Sequence, residues 1–160
     1  MPQTVRSELA APPHIERRTL RILGTEITLL EQVRARAQAD LGFNIEFEVL
    51  DFLSCQRRAA LEPETYDIYD QCFHNLDIVW FWGSLQPIDT QRITEWDRLT
   101  GLTREGGINK YAWRGHGDAP VRKLYVQPGE FLGPEPSRHI SMLPTVHNLD
   151  SFAYDTRVFS

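Results

Sequence analysis

The sequence has no apolar run approaching the roughly 20 residues that a membrane-spanning helix needs. Its first 19 residues, MPQTVRSELAAPPHIERRT, also lack the continuous apolar segment of a secretory signal. Arg17 and Arg18 resemble the start of a twin-arginine export signal, but Arg21, Glu26 and Glu31 interrupt the apolar segment that such a signal requires next. The chain as written is therefore not expected to be exported.

A basic excess is missing as well. The 160 residues contain 17 Lys and Arg against 22 Asp and Glu, which gives a net charge of −5 and a pI near 5.5. Binding to the phosphates of a nucleic acid needs a basic surface, so we expect no nucleic-acid partner. A cationic ligand is compatible with the same charge balance.

Cysteine is scarce, and the motifs of metal and nucleophile chemistry are absent. Cys55 and Cys72 fit either a pair of reduced thiols or one disulfide. Cys72 and His74 lie two residues apart, but no oxyanion-hole pattern or third member accompanies them. Without HExxH or CxxC spacing, four further residues are interpreted as solvated loop side chains rather than as metal ligands: His116, Asp118, His139 and His147.

Strands and helices alternate through the first 90 residues. The predicted strands or extended segments are LRILG (20–24), FNIEFEVLD (43–51), YDIYD (66–70) and LQPID (85–89), and the predicted helices cover 27–40, 52–61 and 76–83. Thr25 or Thr28 is the expected cap of the first helix, and Gly42 its end. This alternation predicts an α/β fold with a mainly parallel open sheet and flanking helices.

Apolar spacing also predicts which helix faces point inward. In the first helix these positions are Leu29, Leu30, Val33 and Ala37, opposite Arg34, Arg36 and Gln38. In the second they are Phe52, Leu53, Ala60 and Leu61. In the third, Trp80, Phe81 and Trp82 are expected to pack against the sheet rather than to form a stacking surface for sugars or bases.

The remaining sequence carries weaker signals. Residues 1–18 contain three prolines and no periodicity, and are predicted to form a flexible N-terminal arm. Residues 97–138, which KLYVQP (123–128) interrupts, are predicted to be loop with one hairpin, and extended segments are predicted to follow at 140–146 and 151–155.

Polar residues follow the predicted strands. Gly24-Thr25-Glu26, Asp51 and Asp70 to His74 each stand at the carboxyl end of a strand, where ligands bind in open α/β sheets. Helix amides exposed there supply hydrogen-bond donors and partial positive charge. A simpler interpretation stays open, since a polar turn is also needed to start any helix after a strand.

Four segments together resemble a known family. They are LRILGTEITLLEQVRARAQADLGFNIEFEVLD, YDIYDQCFHNLDIVW, GSLQPID and ISMLPTVHNLDSFAYDTRV. In this order they resemble the extracellular solute-binding proteins of ABC transporters, in the spermidine/putrescine-type branch with a type II periplasmic-binding fold. The resemblance extends over about residues 20–157.

The resemblance implies a fold and a ligand site. Residues 19–160 are expected to form a partial first lobe of the type II fold, with the second lobe absent. The ligand is expected to be a small organic solute, with polyamines as one class, captured in a cleft between lobes. Its contacts are expected at seven residues: Gly24, Thr25, Glu26, Asp70, Cys72, Phe73 and His74.

The resemblance also implies partners and a location. An ABC permease is the expected partner and the periplasm the expected location, although the chain as written would be cytoplasmic or truncated. Transport by capture makes no bond, so no catalytic residue, metal or cofactor is expected and the chain is not an enzyme. Self-association through an exposed apolar sheet edge is expected too. The alternative is a stand-alone α/β enzyme or regulatory domain that shares only the sheet pattern.

Overall fold

The computed structural model describes residues 19–107, 111, 119–145, 155 and 157–158. The chain divides into two units: unit 1 takes residues 1–55 and 64–70, and unit 2 takes residues 56–63 and 71–160. The predicted N-terminal arm and most of the predicted extended segment at 151–155 lie outside the described residues. Within the described part of the chain, no helix combines the length and apolar composition required to cross a bilayer.

Unit 1 contains a three-stranded parallel sheet. Its strands are β1 (Thr19–Gly24), β2 (Asn44–Val49) and β3 (Ile68–Asp70), in the order β2-β1-β3. Helix α1 (Glu31–Leu41) joins β1 to β2. Helix α2 (Phe52–Leu61) follows β2, and its first four residues belong to unit 1 whereas the rest belong to unit 2. Leu23 and Ile45 form the buried centre of the two longer strands. The predicted α/β class and the first strand–helix–strand are confirmed.

The predicted sheet-facing side of α1 is wrong. No residue of α1 is buried, and Leu30 and Val33 are about half exposed. The prediction places Arg34 and Gln38 on the opposite face, yet both bond to β2. The Oε1 of Gln38 accepts from the Ile45 amide at 2.8 Å, and Nη1 of Arg34 donates to the Ile45 carbonyl at 3.4 Å. Because β2 is an edge strand of this sheet, its outward backbone groups need polar partners, and α1 supplies them.

The predicted cap of α1 is also wrong, whereas its predicted end is confirmed. The helix begins at Glu31, and Leu30 precedes it without any side-chain cap. The hydroxyl of Thr28 instead donates a hydrogen bond to the carboxylate of Asp70. Gly42 ends the helix at φ 71°, and its amide donates to the Gln38 carbonyl at 3.1 Å. Glycine suits this position because a left-handed backbone strains residues that carry a Cβ.

Helix α2 has the predicted bounds but a different buried face. Cys55 and Ala59, four residues apart, are fully buried, whereas Leu53 is 72% exposed and Leu61 is also exposed. Residues four apart share one side of a helix, and the small side chains on this side let the backbone lie close to its neighbours. Of the residues predicted to face inward, Phe52 and Ala60 are half-buried, so the prediction is wrong for the two leucines, which it favours by their hydrophobicity.

Unit 2 contains a second, antiparallel sheet. Its strands are β4 (Ile88–Asp89), β5 (Tyr125–Val126), β6 (Leu132–Gly133) and β7 (His139–Ile140), in the order β4-β7-β5-β6. Its helices include α3 (Leu76–Phe81), α4 (Gly101–Glu105) and α5 (Val121–Leu124). The predicted hairpin is β5–β6. The prediction of one mainly parallel sheet therefore holds for unit 1 alone, because strands of two residues are too short to show alternation.

A compact apolar cluster holds unit 2. Its buried members are Val121, Leu124, Tyr125 and Ile140, and around them pack Ile93, Trp96, Ala119 and Met142. The rings of Trp96 and Tyr125 meet edge to face with centroids 6.4 Å apart, an arrangement that aromatic pairs favour. Helix α5 and strand β5 thus supply most of this core.

The aromatic run on α3 does not pack as predicted. Phe81 is 85% exposed and Trp82 is mostly exposed. Trp80 is half-buried, and its indole N–H donates to the Glu130 carbonyl at 2.8 Å in the turn between β5 and β6. The indole of this tryptophan is thus hydrogen-bonded to a turn.

An ion pair between Asp89 of β4 and Arg138, the residue before β7, makes the stability of unit 2 sensitive to acid. Two nitrogens of Arg138 donate to Asp89, at 3.1 and 2.6 Å, and lower the pKa of this carboxyl to about 2. The ordinary pKa of an Asp in an unfolded chain is about 3.9. A lowered native pKa stabilises the fold above that ordinary value, and the contribution is lost as the pH falls through about 2.

We therefore expect Asp89→Asn to lower the free energy of unfolding at pH 7 and to change it little near pH 2. Urea unfolding of both proteins at each pH measures the two differences. Because all other carboxyls titrate alike in both proteins, the comparison isolates Asp89. An equal loss at both pH values would contradict the role given to its ionisation.

Candidate ligand-binding site

The three strands of unit 1 end side by side. Gly24, the last residue of β1, stands in register with Val49 of β2 and Asp70 of β3. The Leu50 amide donates to the Gly24 carbonyl at 3.0 Å, which extends the pairing one residue past β2. Residues after these positions leave the sheet at the same edge, as the sequence predicts for a parallel sheet.

Gly24 is required by close packing. A Cβ at this position would lie 2.7 Å from the carbonyl oxygen of Asp70 and 2.9 Å from Cδ1 of Leu29. Both distances are shorter than ordinary van der Waals contact. At this end of the sheet, β1 and β3 therefore lie so close together that a side chain at position 24 has no room.

Asp70 presents the carboxylate of this edge. Its side chain is half-buried and accepts a hydrogen bond from the Thr28 hydroxyl. Thr25 is buried, and its carbonyl accepts from the Leu29 amide at 3.3 Å. Glu26 occupies an exposed position. The edge thus combines one shielded carboxylate, one buried threonine and one exposed carboxylate.

Asp51 has a structural role at the same edge. Its Oδ1 accepts from the amides of Leu53 and Ser54, each at 3.1 Å, and so caps α2. Hydrogen bonds from Ser54 hold the pKa of the Asp51 carboxyl below its ordinary value. The simpler interpretation, a polar turn that starts a helix, is therefore correct for Asp51.

The two cysteines are free thiols. Cys55 is buried in unit 1, and its thiol donates to the Gly24 carbonyl at 2.9 Å. Burial raises the pKa of this thiol above its ordinary value, so it stays protonated at neutral pH and is a poor nucleophile. Cys72 is exposed and belongs to unit 2.

Cys72, Phe73 and His74 lie at the start of a 3₁₀ turn in unit 2. The Cys72 amide donates to Oε1 of Gln71 at 2.9 Å. The rings of Phe73 and His74 meet nearly at right angles with centroids 5.8 Å apart. Cys72 and His74 are exposed, while Phe73 is half-buried. The predicted aromatic character of this turn is present, in a unit separate from Gly24, Thr25, Glu26 and Asp70.

Sequence reasoning misses two residues that organise these segments. The sequence suggests Thr28 only as a helix cap, yet it bonds to Asp70. It suggests no role for Lys123, yet Nζ of this lysine donates to the His74 carbonyl at 2.9 Å and to Oδ1 of Asp77 at 3.1 Å. A long sequence separation hides such pairs, since no local pattern connects a lysine to a carbonyl 49 residues away.

A metal centre finds no support among the described residues, where no three His, Cys, Asp or Glu side chains come together to hold an ion. His139 is exposed in β7. His116, Asp118 and His147 lie outside the described residues.

Comparison with known proteins adds no relative: no family model, no curated protein and no solved structure matches this chain. The geometry of the strand edge is therefore the main ground for a functional proposal.

Proposed function

We propose that this chain is the solute-binding component of an ABC importer and that it captures a small organic cation of the polyamine class. Under this proposal the edge where β1, β2 and β3 end supplies one wall of the solute pocket. The chain binds, presents the solute to a permease and makes no covalent bond. The resemblance of its four sequence segments to spermidine/putrescine-type binding proteins supports this assignment.

The carboxylate of Asp70 carries the proposal. It stands at the carboxyl end of a parallel strand, the position where open α/β sheets bind ligands. It is half-buried, so water screens it less than a fully exposed carboxylate. An ammonium group bonded to it gains a charge-assisted hydrogen bond, which is roughly twice as strong as a neutral one. Thr28 fixes the orientation of the carboxylate by its hydroxyl.

The remaining predicted contacts divide by unit. Glu26 offers a second, exposed carboxylate in unit 1, suited to the far ammonium of a diamine. Cys72, Phe73 and His74 stay predicted contacts of unit 2.

Thermal unfolding with a solute panel tests the proposal. We expect putrescine or spermidine to raise the melting temperature, whereas neutral amino acids and short uncharged peptides do not. A ligand at 100 times its Kd adds about 2.7 kcal/mol to the free energy of unfolding. If no member of the panel shifts the melt, solute capture by this chain is wrong.

Asp70→Asn identifies the site within the same experiment. The amide keeps the size of the carboxyl and can still accept from Thr28, so we expect an intact fold and loss of the polyamine shift. Glu46→Gln is the matched control, since it removes one charge from β2 of the same sheet. A shift that survives Asp70→Asn, or one lost equally in Glu46→Gln, would place the ligand elsewhere.

A further inference from the structure

Helix α1 carries an apolar stripe that faces solvent. The α1 stripe consists of Val33, Ala37 and Leu41 on the helix and of Leu30, the residue directly before it. Their spacing of three or four residues puts them on one side. Leu30 is 48%, Val33 55% and Leu41 61% exposed, and Ala37 is partly buried. The helix turns Arg34 and Gln38 toward β2 and leaves these apolar side chains outside.

An ion pair runs along the flank of this stripe. Nε of Arg36 lies 2.7 Å from Oδ2 of Asp40, and both side chains are mostly exposed. Side chains spaced four residues apart form a ridge along a helix. Arg36 and Asp40 lie on one such ridge, and Val33, Ala37 and Leu41 lie on a parallel one. The flank therefore carries a positive charge toward the start of the helix and a negative charge toward its end.

We propose that the α1 stripe pairs with the α1 stripe of a second copy of this chain, with the two helices antiparallel about a two-fold axis near Ala37. A two-fold axis brings the same surface of each copy together. Val33 then faces Leu41 of the second copy, and the small Ala37 lies where the helices cross. Alanine at the crossing allows the helix axes to approach within the usual 8–10 Å.

The charge pattern favours a second copy over an unrelated partner. In the antiparallel arrangement Arg36 of each chain stands opposite Asp40 of the other, so the flanking charges are self-complementary. A parallel two-fold arrangement would place the two charged flanks on opposite sides of the contact, where they do not meet. The antiparallel symmetry gives both charge contacts at once, without any other molecule.

The pairing is expected to be weak. A helix of 11 residues is only about 16 Å long. Two such stripes bury less than the roughly 1,200 Å² of a standard stable interface. We therefore expect a reversible monomer–dimer equilibrium that becomes visible only at high protein concentration.

Sedimentation equilibrium over a wide range of protein concentration tests this pairing. Ala37→Glu is expected to raise the dimer dissociation constant by at least about tenfold, because it buries an unpaired carboxylate at the crossing. Ala35→Glu is the matched control: it makes the same change on the same helix, about 200° around the axis from Ala37. Both variants keep a good helix former, so circular dichroism should match the unmodified chain.

Charge reversal separates this pairing from unspecific aggregation. Arg36→Asp is expected to weaken the dimer, and Arg36→Asp combined with Asp40→Arg to restore it. A chain that stays monomeric at every concentration overturns the proposal, and so does an equal effect of the two glutamate variants. These substitutions leave Asp70 untouched, so solute binding and self-association can fail independently.

Discussion

Replacing Gly24 with alanine is expected to lower the free energy of unfolding of unit 1 by about 1–3 kcal/mol. Two effects oppose each other. Alanine restricts the unfolded chain and stabilises by about 0.4–1 kcal/mol where the native backbone accepts it. Here the new Cβ would meet the carbonyl oxygen of Asp70 at 2.7 Å. That oxygen belongs to a paired strand and cannot move without disturbing β1 and β3, so the clash outweighs the gain.

Urea unfolding followed by far-ultraviolet circular dichroism measures this change. Gln32→Ala is the control, since it places alanine at an exposed position of α1 in the same unit, where a Cβ is already present. We expect that control to change stability little. An unchanged or higher stability for Gly24→Ala would mean that β1 and β3 are not so closely packed. The proposed ligand edge would then need a different geometry.

Leu124→Ala is expected to lower the free energy of unfolding of unit 2 by about 2–5 kcal/mol. Leu124 is fully buried in the cluster with Val121, Tyr125 and Ile140. Truncation removes its transfer free energy and leaves a cavity, because a packed cluster relaxes only in part. The same change at Leu143, which is 42% exposed, should cost about 1 kcal/mol or less.

Tryptophan fluorescence provides a local probe for this experiment. All four tryptophans fall within the residue ranges of unit 2, and Trp96 contacts the altered cluster through Tyr125. Circular dichroism reports both units, so transitions that separate in Leu124→Ala would show that unit 1 unfolds on its own. A loss as small as that of Leu143→Ala would contradict the central place of Leu124.

The sequence predicts the bounds of the helices better than it predicts which side of each helix is buried. The bounds of α2 are correct because Pro63 and the polar residues after it mark the end of the helix. The prediction that Leu53 and Leu61 are buried is wrong. Cys55 and Ala59 are buried instead, because their side chains, although less hydrophobic, are small enough to fit close to the surrounding backbone. Hydrophobic scales rank side chains by transfer from water and contain no term for shape.

The errors on α1 have a different cause. Polarity alone assigns Arg34 and Gln38 to solvent, but the edge of β2 needs hydrogen-bond partners. The same reasoning from neighbouring residues assigns Thr28 as a helix cap, whereas its hydroxyl donates to Asp70, 42 residues away. Both outcomes depend on tertiary neighbours, which a pattern within one helix does not reveal. At the strand edge, the order of the residues is predictable and the partner of each polar group is not.

Several polar bonds of unit 2 close long loops, which bears on how fast the unit can fold. The Lys123 bonds to His74 and Asp77, the Trp80 bond to Glu130 and the Thr90 bond to Arg138 all join residues 46 to 50 positions apart. Closing the first such loop costs chain entropy before any contact repays it. Once it is closed, the others form between segments already held close. We therefore expect the first long-range contact to limit the folding rate of unit 2. The remaining contacts should form rapidly after it, so that few partly folded chains accumulate.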